Sequence, residues 1–299
     1  MGELYRQFIE RSDLNLDKWH DYFPVYERYL GRFLGKSPRV LEIGVQGGGS
    51  AILLTDWLGK GTTVTGVDID PECRKNTIPG LIEIEIGDQA DRSFLKNLLD
   101  RHGPWDIIID DGGHTNNQIL TSFDLLFPSL NSGGIYLIED THAHFYGRDF
   151  HDHPQKKSVI TLVADLFTAM HAWTGSRKHI PHWRVPPPDR LEKENVPYLS
   201  RHVAGIHLFD SMIVIEKNER FEPFCERRVA GQPRETDFRR REAEAVSDFE
   251  PATNSGPELS AAEARYKLAL LEAEIATIKS TPLWRLVSGA SWLKRRMLG

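Results

Sequence analysis

The stretch RVLEIGVQGGGSAILLTDWLG, residues 39–59, decides the fold because it joins a strand, a glycine-rich turn and a helix. Its first seven residues are mostly apolar, with two valines and an isoleucine, which is typical of a buried strand. Residues 44–49 contain four glycines, which allow the backbone to approach a ligand closely. This order predicts the first βα unit of a parallel sheet, with a ligand at the carboxyl end of the strand.

Strands and helices continue to alternate as far as residue 217. Further strand-like runs are TVTGVDI (63–69), IEIEIGD (82–88), WDIIIDD (105–111) and GGIYLIED (133–140). Amphipathic helical stretches between them predict a parallel sheet with helices on both faces. The runs GIHLFD (205–210) and MIVIEK (212–217) are too close in the chain for a crossover and predict an antiparallel hairpin. We therefore predict an α/β fold with a Rossmann-like, seven-stranded sheet, which resembles the class I methyltransferase sheet.

Composition narrows the functional class. The chain has 299 residues, 40% of them hydrophobic, and a formal charge of −6, which argues against nucleic acid as a partner. Two cysteines, Cys73 and Cys225, cannot form a disulfide scaffold and indicate a reducing compartment. The sequence has no apolar run typical of a signal peptide or a membrane span. We expect a cytoplasmic protein.

Residue composition and hydrophobic periodicity divide the sequence into four segments. We predict an N-terminal helical lid over 1–37, the α/β domain over 38–217, a linker rich in charge, Pro and Gly over 218–257, and an amphipathic helical tail over 258–299. The segment 281–299 contains both basic residues and tryptophans. Such a segment is typical of binding to the inner membrane surface or to a partner enzyme. A helix that docks on its own core, or that forms a homo-oligomer, explains the tail equally well.

Polar residues stand at the ends of the first three predicted strands. Asp68 has the position of a ribose-diol acceptor, and Asp88 and Gln89 would contact an adenine edge. Glu42 would accept a hydrogen bond from the ammonium group of S-adenosylmethionine, a group that NAD lacks. The predicted cofactor-binding residues are Glu42, Gly44, Gly47, Ser50, Asp68, Asp88, Gln89 and Asp110. We also expect Ser50 to open the helix that follows the loop. The alternative is a tight βα turn with solvated strand ends.

Three carboxylates follow the fourth and fifth predicted strands, which are neighbours in this fold. Asp111, Glu139 and Asp140 would share one pocket, which is costly unless a cation neutralises them. Oxygen ligands suit Mg²⁺, with Mn²⁺ as second choice. His114 would act as a general base beside the metal. In the alternative interpretation Asp110 or Asp111 caps the next helix and His114 lies on a surface loop.

Five motifs carry a resemblance to a known family. In chain order they are LEIGVQGGGS (41–50), GVDID (66–70), GDQAD (87–91), IDDGGH (109–114) and LIEDTH (137–142). They resemble the metal-dependent sugar O-methyltransferases of macrolide biosynthesis, of the mycinamicin and rhamnosyl-tetracenomycin type, and the broader cephalosporin hydroxylase-like superfamily. The resemblance covers residues 15–217. It implies that Asp111, Glu139 and Asp140 bind Mg²⁺ and that His114 is the base.

The segment THAHFYGRDFHDHP, residues 141–154, departs from the macrolide enzymes, so we expect it to contact the acceptor. Candidate acceptor residues are Tyr22, His142 and His144. The two His-x-His pairs also allow a transition-metal interpretation. Lys18, Trp19, His20 and Tyr22 would cover the cofactor, although a packing helix explains the aromatic residues as well. PHWRVPPPD (181–189) indicates an ordered loop or a substrate-side flap.

These patterns predict an S-adenosylmethionine-dependent, divalent-metal-assisted O-methyltransferase. The acceptor would be a sugar hydroxyl in cell-surface glycan or glycosylated natural-product biosynthesis. One alternative is an iron-dependent oxygenase resembling the cephalosporin hydroxylases, although three carboxylates are unlike the two-His, one-carboxylate site of such enzymes. The other is a non-catalytic cofactor-binding scaffold.

Overall fold

The computed structural model describes residues 2–172 and 196–220. Its helices are α1 (Glu3–Glu10), α2 (Phe23–Leu30), α3 (Gly49–Leu58), α4 (Arg92–His102), α5 (Asn116–Leu126), α6 (Val159–Met170) and α7 (Tyr198–His202). Its strands are β1 (Arg39–Ile43), β2 (Thr63–Asp68), β3 (Ile82–Ile86), β4 (Trp105–Asp110), β5 (Leu130–Ile138), β6 (Val203–Phe209) and β7 (Met212–Lys217). The segment 181–189, Cys225, the tail 258–299 and the predicted linker beyond residue 220 lie outside the described residues.

The seven strands form one sheet in the order β3-β2-β1-β4-β5-β7-β6. The first five strands are parallel, whereas β7 runs antiparallel to β5 and β6 runs antiparallel to β7. The predicted α/β fold with its terminal hairpin is confirmed. The strand order reverses between β1 and β4, and ligands of open α/β sheets bind at such a point, beyond the carboxyl ends of the strands.

The central strands are buried on both faces, as the continuous apolar runs predict for a covered parallel sheet. Ile107, Ile108 and Ile109 of β4 are at most 1% exposed, and Trp105 and Tyr136 are fully buried. Burial of this kind fixes the register of β4, so the positions of the residues that follow the strand are fixed with it.

The N-terminal helices belong to the main hydrophobic core. Leu4, Phe23, Tyr26 and Leu30 are buried in the same cluster as the sheet residue Ile109 and its neighbours. Residues 11–22 connect the two helices. Within the predicted lid of residues 1–37, the helices therefore pack as core. None of the described helices has both the length and the apolarity needed to cross a membrane.

This packing predicts a large effect of a mutation in α2. Phe23 is 1% exposed, and the centroid of its ring lies 4.4 Å from the ring centroid of Phe8. Phe23→Ala should therefore lower the free energy of unfolding by about 3–5 kcal/mol. Phe167→Ala is the control, because Phe167 is 63% exposed on α6. Denaturant titration of both variants measures the difference. A main unfolding transition unchanged by Phe23→Ala would show that the N-terminal helices are a separable lid.

Candidate functional site

Backbone hydrogen bonds align the carboxyl ends of the three central strands. The Asp111 amide donates to the Ile43 carbonyl and the Glu139 amide donates to the Asp110 carbonyl, both at 2.9 Å. Gly44 has a φ of +89°, and a Cβ atom there would lie 2.0 Å from the carbonyl oxygen of Asp111. Glycine is therefore required where the first loop passes the residue that follows β4.

Acidic side chains converge on this crevice and surround one lysine. The Nζ atom of Lys18 lies 2.8 Å from Oε2 of Glu139 and also donates to Oδ2 of Asp111. The Lys18 and Glu139 side chains are 8% and 1% exposed. The second oxygen of Glu139 accepts a hydrogen bond from the hydroxyl of Tyr26. Lys18, which we expected to cover the cofactor, reaches into the carboxylate cluster.

Burial governs the protonation of these groups. It raises the pKa of Glu42 and Glu139 to about 7 and that of Asp111 to about 6, although Lys18 opposes each shift. Burial also disfavours the charge on Lys18, but Glu139 and Asp111 outweigh it and raise the pKa of Lys18 above its ordinary value. The crevice therefore favours additional positive charge.

Asp140 and His114 complete the acidic end of the crevice. The Tyr22 hydroxyl donates to Oδ1 of Asp140, and Nε2 of His114 lies 3.7 Å from Oδ2 of the same residue. Burial lowers the pKa of His114, and the charges of Lys18 and His142 lower it further against the opposing effect of Asp140. The lowered pKa favours a neutral imidazole that can accept a proton.

Among the described residues, the side chains placed to share a metal ion are Asp111, His114 and Asp140, whose ligand atoms lie within 4.8 Å of one another. Two of them belong to the predicted metal set. The third predicted ligand, Glu139, is turned toward Lys18 and Tyr26. One histidine and two carboxylates favour a hard ion over the two-His, one-carboxylate iron site.

The glycine-rich loop lies beneath the N-terminal segment. The Gly49 amide donates to the Asn15 carbonyl at 3.3 Å, and a Cβ atom at Gly47 would lie 2.6 Å from the Asn15 side chain. The interpretation of Ser50 as the residue that opens the helix is wrong, because Gly48 occupies the N-cap of α3. The Ser50 hydroxyl donates to Oε1 of Glu42 instead.

Glu42 carries an unsatisfied acceptor. The residue is 0% exposed, and its Oε2 atom accepts no hydrogen bond from any residue in 2–172 or 196–220. A buried carboxylate oxygen without a donor is costly. A ligand with an ammonium group would supply that donor, as we expected for Glu42.

The other predicted cofactor residues divide into two groups. Asp68 accepts from the Gln46 and Asp70 amides, and Asp88 accepts from the Ala90 amide, so both carboxylates hold loops at strand ends. Gln89 and Asp110 form a separate hydrogen-bond network.

Gln89 and Asp110, which we predicted to contact the cofactor, contact each other in the structure. Both are buried, and the Gln89 side chain donates to Asp110 at 2.9 Å and to Ser122 at 3.1 Å. Oε1 of Gln89 accepts from the Gly113 amide, so the amide is fully engaged in holding the loop before His114. The alternative in which Asp110 or Asp111 caps the helix after β4 is wrong, because Thr115 caps that helix, α5.

The histidine-rich segment is partly at the site. His142 lies edge-on to Trp19, with ring centroids 5.8 Å apart, and Nδ1 of His142 is 4.0 Å from Asp140. His144 stacks on His151, with ring centroids 4.4 Å apart, and contacts the side chain of Asn116. Within the described chain, these histidines form no group of three metal ligands.

Sequence reasoning missed three contributions to the site. These are the ion pairs of Lys18, the hydroxyl of Tyr26 and the contact of Asn15 with the glycine-rich loop. All three come from the N-terminal segment, before the first of the five motifs at residues 41–50. The sequence DKWHDYFPVYER contains a lysine and tyrosines but no spacing that assigns them to acidic partners 93 to 121 residues away.

Comparison with known proteins gives the same class of fold. A family described as a methyltransferase domain matches residues 41–141. The chain is 29% identical to an 8-demethyl-8-(2-methoxy-alpha-L-rhamnosyl)-tetracenomycin-C 3'-O-methyltransferase of Streptomyces olivaceus, over 79% of this chain and 58% of that protein. It is 32% identical to the demethylmacrocin O-methyltransferase of Streptomyces fradiae, over 67% of this chain and 50% of that protein. The chain thus spans about half the length of the curated relatives it matches.

A solved structure is similar over more of the chain. The MycE methyltransferase from the mycinamycin biosynthetic pathway, in complex with Mg, SAH and mycinamycin VI, superposes with a TM-score of 0.57 at 26% identity. The match covers 80% of this chain and 58% of that one.

The close approach of Gly44 to Asp111 generates a prediction. Gly44→Ala should lower the free energy of unfolding by about 1–3 kcal/mol, because the new methyl group overlaps the Asp111 carbonyl and the positive φ is strained. Gly31→Ala is the control, since Gly31 has a φ of −56° and open space around it. Thermal denaturation compares the two. Equal stability of both variants would contradict the tight contact.

Proposed function

We propose that the chain is an S-adenosylmethionine-dependent, Mg²⁺-assisted O-methyltransferase. Its residues 41–141 match a methyltransferase domain, and it resembles macrolide and tetracenomycin sugar O-methyltransferases. The acceptor is a sugar hydroxyl. The observation that carries the proposal is the buried acidic crevice at the switch point of the sheet, with His114 beside Asp111 and Asp140.

The residues present fit both cofactors. The unsatisfied Oε2 of Glu42 suits the ammonium group of S-adenosylmethionine, and the loop around Gly47 would approach the donor closely. Asp68 and Asp88 stand at the ends of the next two strands, on the adenosine side of the crevice. Asp111 and Asp140 would hold the metal ion, since carboxylate oxygens are the ligands that Mg²⁺ prefers. Glu139 would join them by turning from its present partners Lys18 and Tyr26, which leaves His114 as the base beside the metal.

When bound, S-adenosylmethionine supplies an electrophilic methyl group, and Mg²⁺ supplies positive charge beside the acceptor oxygen. The described residues orient the acceptor and move its proton. His114 would accept the proton of the acceptor hydroxyl at Nε2 and so make the oxygen nucleophilic toward the methyl group that the cofactor would supply. Asp140, held by Tyr22, stabilises the resulting imidazolium. Much of the rate comes from this alignment, because methyl transfer is a direct displacement.

The acceptor side of the proposal rests on the aromatic and imidazole groups near Asp140. Tyr22 and His142 border the crevice beside Trp19, which is 58% exposed. The names of the chain's relatives point to a glycosylated natural product as the acceptor. We also propose a cell-surface glycan or its precursor as an acceptor. The sequence of 281–299 is basic and contains tryptophans, which suits a cytoplasmic protein that binds the inner face of the membrane.

Removal of the metal site tests the central claim. Asp111→Asn should lower Mg²⁺-stimulated methyl transfer by about 100-fold while calorimetric binding of S-adenosylmethionine is retained. Asp124→Asn is the control, because Asp124 is exposed and paired with Arg92 on the protein surface. Turnover that survives both Asp111→Asn and EDTA would exclude the metal role. Absence of S-adenosylmethionine binding to the wild type would exclude the function itself.

The role of His114 is tested separately. His114→Gln should lower kcat by about 10²–10⁴-fold, the usual contribution of a general base, with little change in the KM for the acceptor. His102→Gln is the control, since His102 pairs with Glu85 at the end of α4. Steady-state kinetics with a rhamnosylated acceptor measures both constants. An unchanged kcat for His114→Gln would remove it as the base.

A further inference from the structure

Lys18 occupies the oxygens that a divalent cation would need. Its Nζ atom contacts Oδ2 of Asp111 and Oε2 of Glu139, and the other oxygen of Glu139 accepts from Tyr26. Both oxygens of Glu139 are therefore engaged. A metal ion that binds Glu139 has to displace either the ammonium group or the tyrosine hydroxyl.

The ammonium group is the partner that a cation displaces. Lys18 and Mg²⁺ are both positive, so they repel each other when they share the same carboxylate oxygens. Tyr26 is neutral and buried in the core beside Phe23, where the sheet and α2 hold its ring. Lys18 instead lies on the connecting segment and reaches its partners through a flexible side chain.

Lys18 is attached to a segment that covers the cofactor loop. We call residues 11–22 the strap. At one end Arg11 pairs with Asp13 and with Asp56 of α3, and in the middle Asn15 contacts Gly47 and Gly49. The ion pairs of Lys18 hold the remaining part of the strap against the carboxylates. Loss of those pairs would leave that part of the strap held by Leu16, which packs against the core, by His20, whose Nδ1 lies 3.0 Å from the Tyr5 hydroxyl, and by Tyr22.

We propose that Lys18 is a tethered cation that competes with the divalent metal for Asp111 and Glu139, so that metal binding releases the strap. This inference rests on the proposed function, because it takes Asp111 and Glu139 as metal ligands. Without metal, Lys18 neutralises the buried acids and keeps the crevice folded. With metal, the ammonium group leaves and the strap is free to rearrange above the glycine-rich loop.

Calorimetric titration of the full-length protein with Mn²⁺ tests the competition. Lys18→Met should bind Mn²⁺ at least about fivefold more tightly than the wild type, because the competing charge is gone. Without metal the same variant should melt at a lower temperature, since its buried acids lack a counter-charge, and Mn²⁺ should raise its melting temperature more than that of the wild type. Lys18→Arg keeps the charge and should retain competition.

Lys36→Met is the matched control, because Lys36 is exposed, and it should bind Mn²⁺ as the wild type does. Equal or weaker binding of Mn²⁺ by Lys18→Met would overturn the proposal, since Lys18 would then be a bystander or would position the ligands. Failure of the proposed function has a different signature. In that case the wild type would bind no S-adenosylmethionine, or Asp111→Asn would bind Mn²⁺ with unchanged affinity.

A second measurement uses the wild type and does not depend on the folding of a variant. Trypsin cleaves after Lys18 when the side chain is accessible, and the ion pairs bury it. Saturating Mn²⁺ should therefore accelerate cleavage of the Lys18–Trp19 bond severalfold. Cleavage after Lys36 reports any general effect of the metal on the protease. Mn²⁺ binding without faster cleavage at Lys18 would show that the ammonium group stays in place and would overturn the proposal.

Discussion

The ion pairs of Lys18 with Asp111 and Glu139 are the interaction on which the site depends. Carboxylates brought together out of water repel one another and lose hydration, so their assembly requires compensating positive charge. One lysine supplies part of that charge in the described structure. The raised pKa values of Glu42, Glu139 and Asp111 show that the compensation is incomplete. This deficit leaves the crevice electrostatically favourable to a further cation.

The sheet makes that assembly possible. β1, β4 and β5 are neighbours whose carboxyl ends lie side by side, and burial of their apolar residues fixes their register. Polar residues placed directly after such strands have no freedom to separate. Gln89 and Asp110 reinforce the arrangement, because the Gln89 side chain donates to Asp110 and accepts from the Gly113 amide in the loop that precedes His114.

The fold and the positions of the acids were predictable because they depend on local pattern and on sheet geometry. Apolar runs identified all seven strands, and the rule that parallel strands end at one edge placed Asp111 near Glu139 and Asp140. The hydrogen-bond partners were not predictable in the same way. Gln89 stands at a strand end like Asp88, yet one side chain is buried against Asp110 and the other holds an exposed turn. Periodicity does not distinguish these environments.

The sequence by itself determined the α/β class, the strand that ends in each acidic residue and the chemistry available at the crevice. The tertiary structure alone decided which basic side chain contacts those acids. Lys18 is 93 residues from Asp111 and 121 from Glu139 in the chain. Local sequence carries no signal for a contact over that separation, because it arises from the packing of α1 and α2 against the sheet. Long-range charge compensation depends on that packing and therefore becomes visible only in the folded protein.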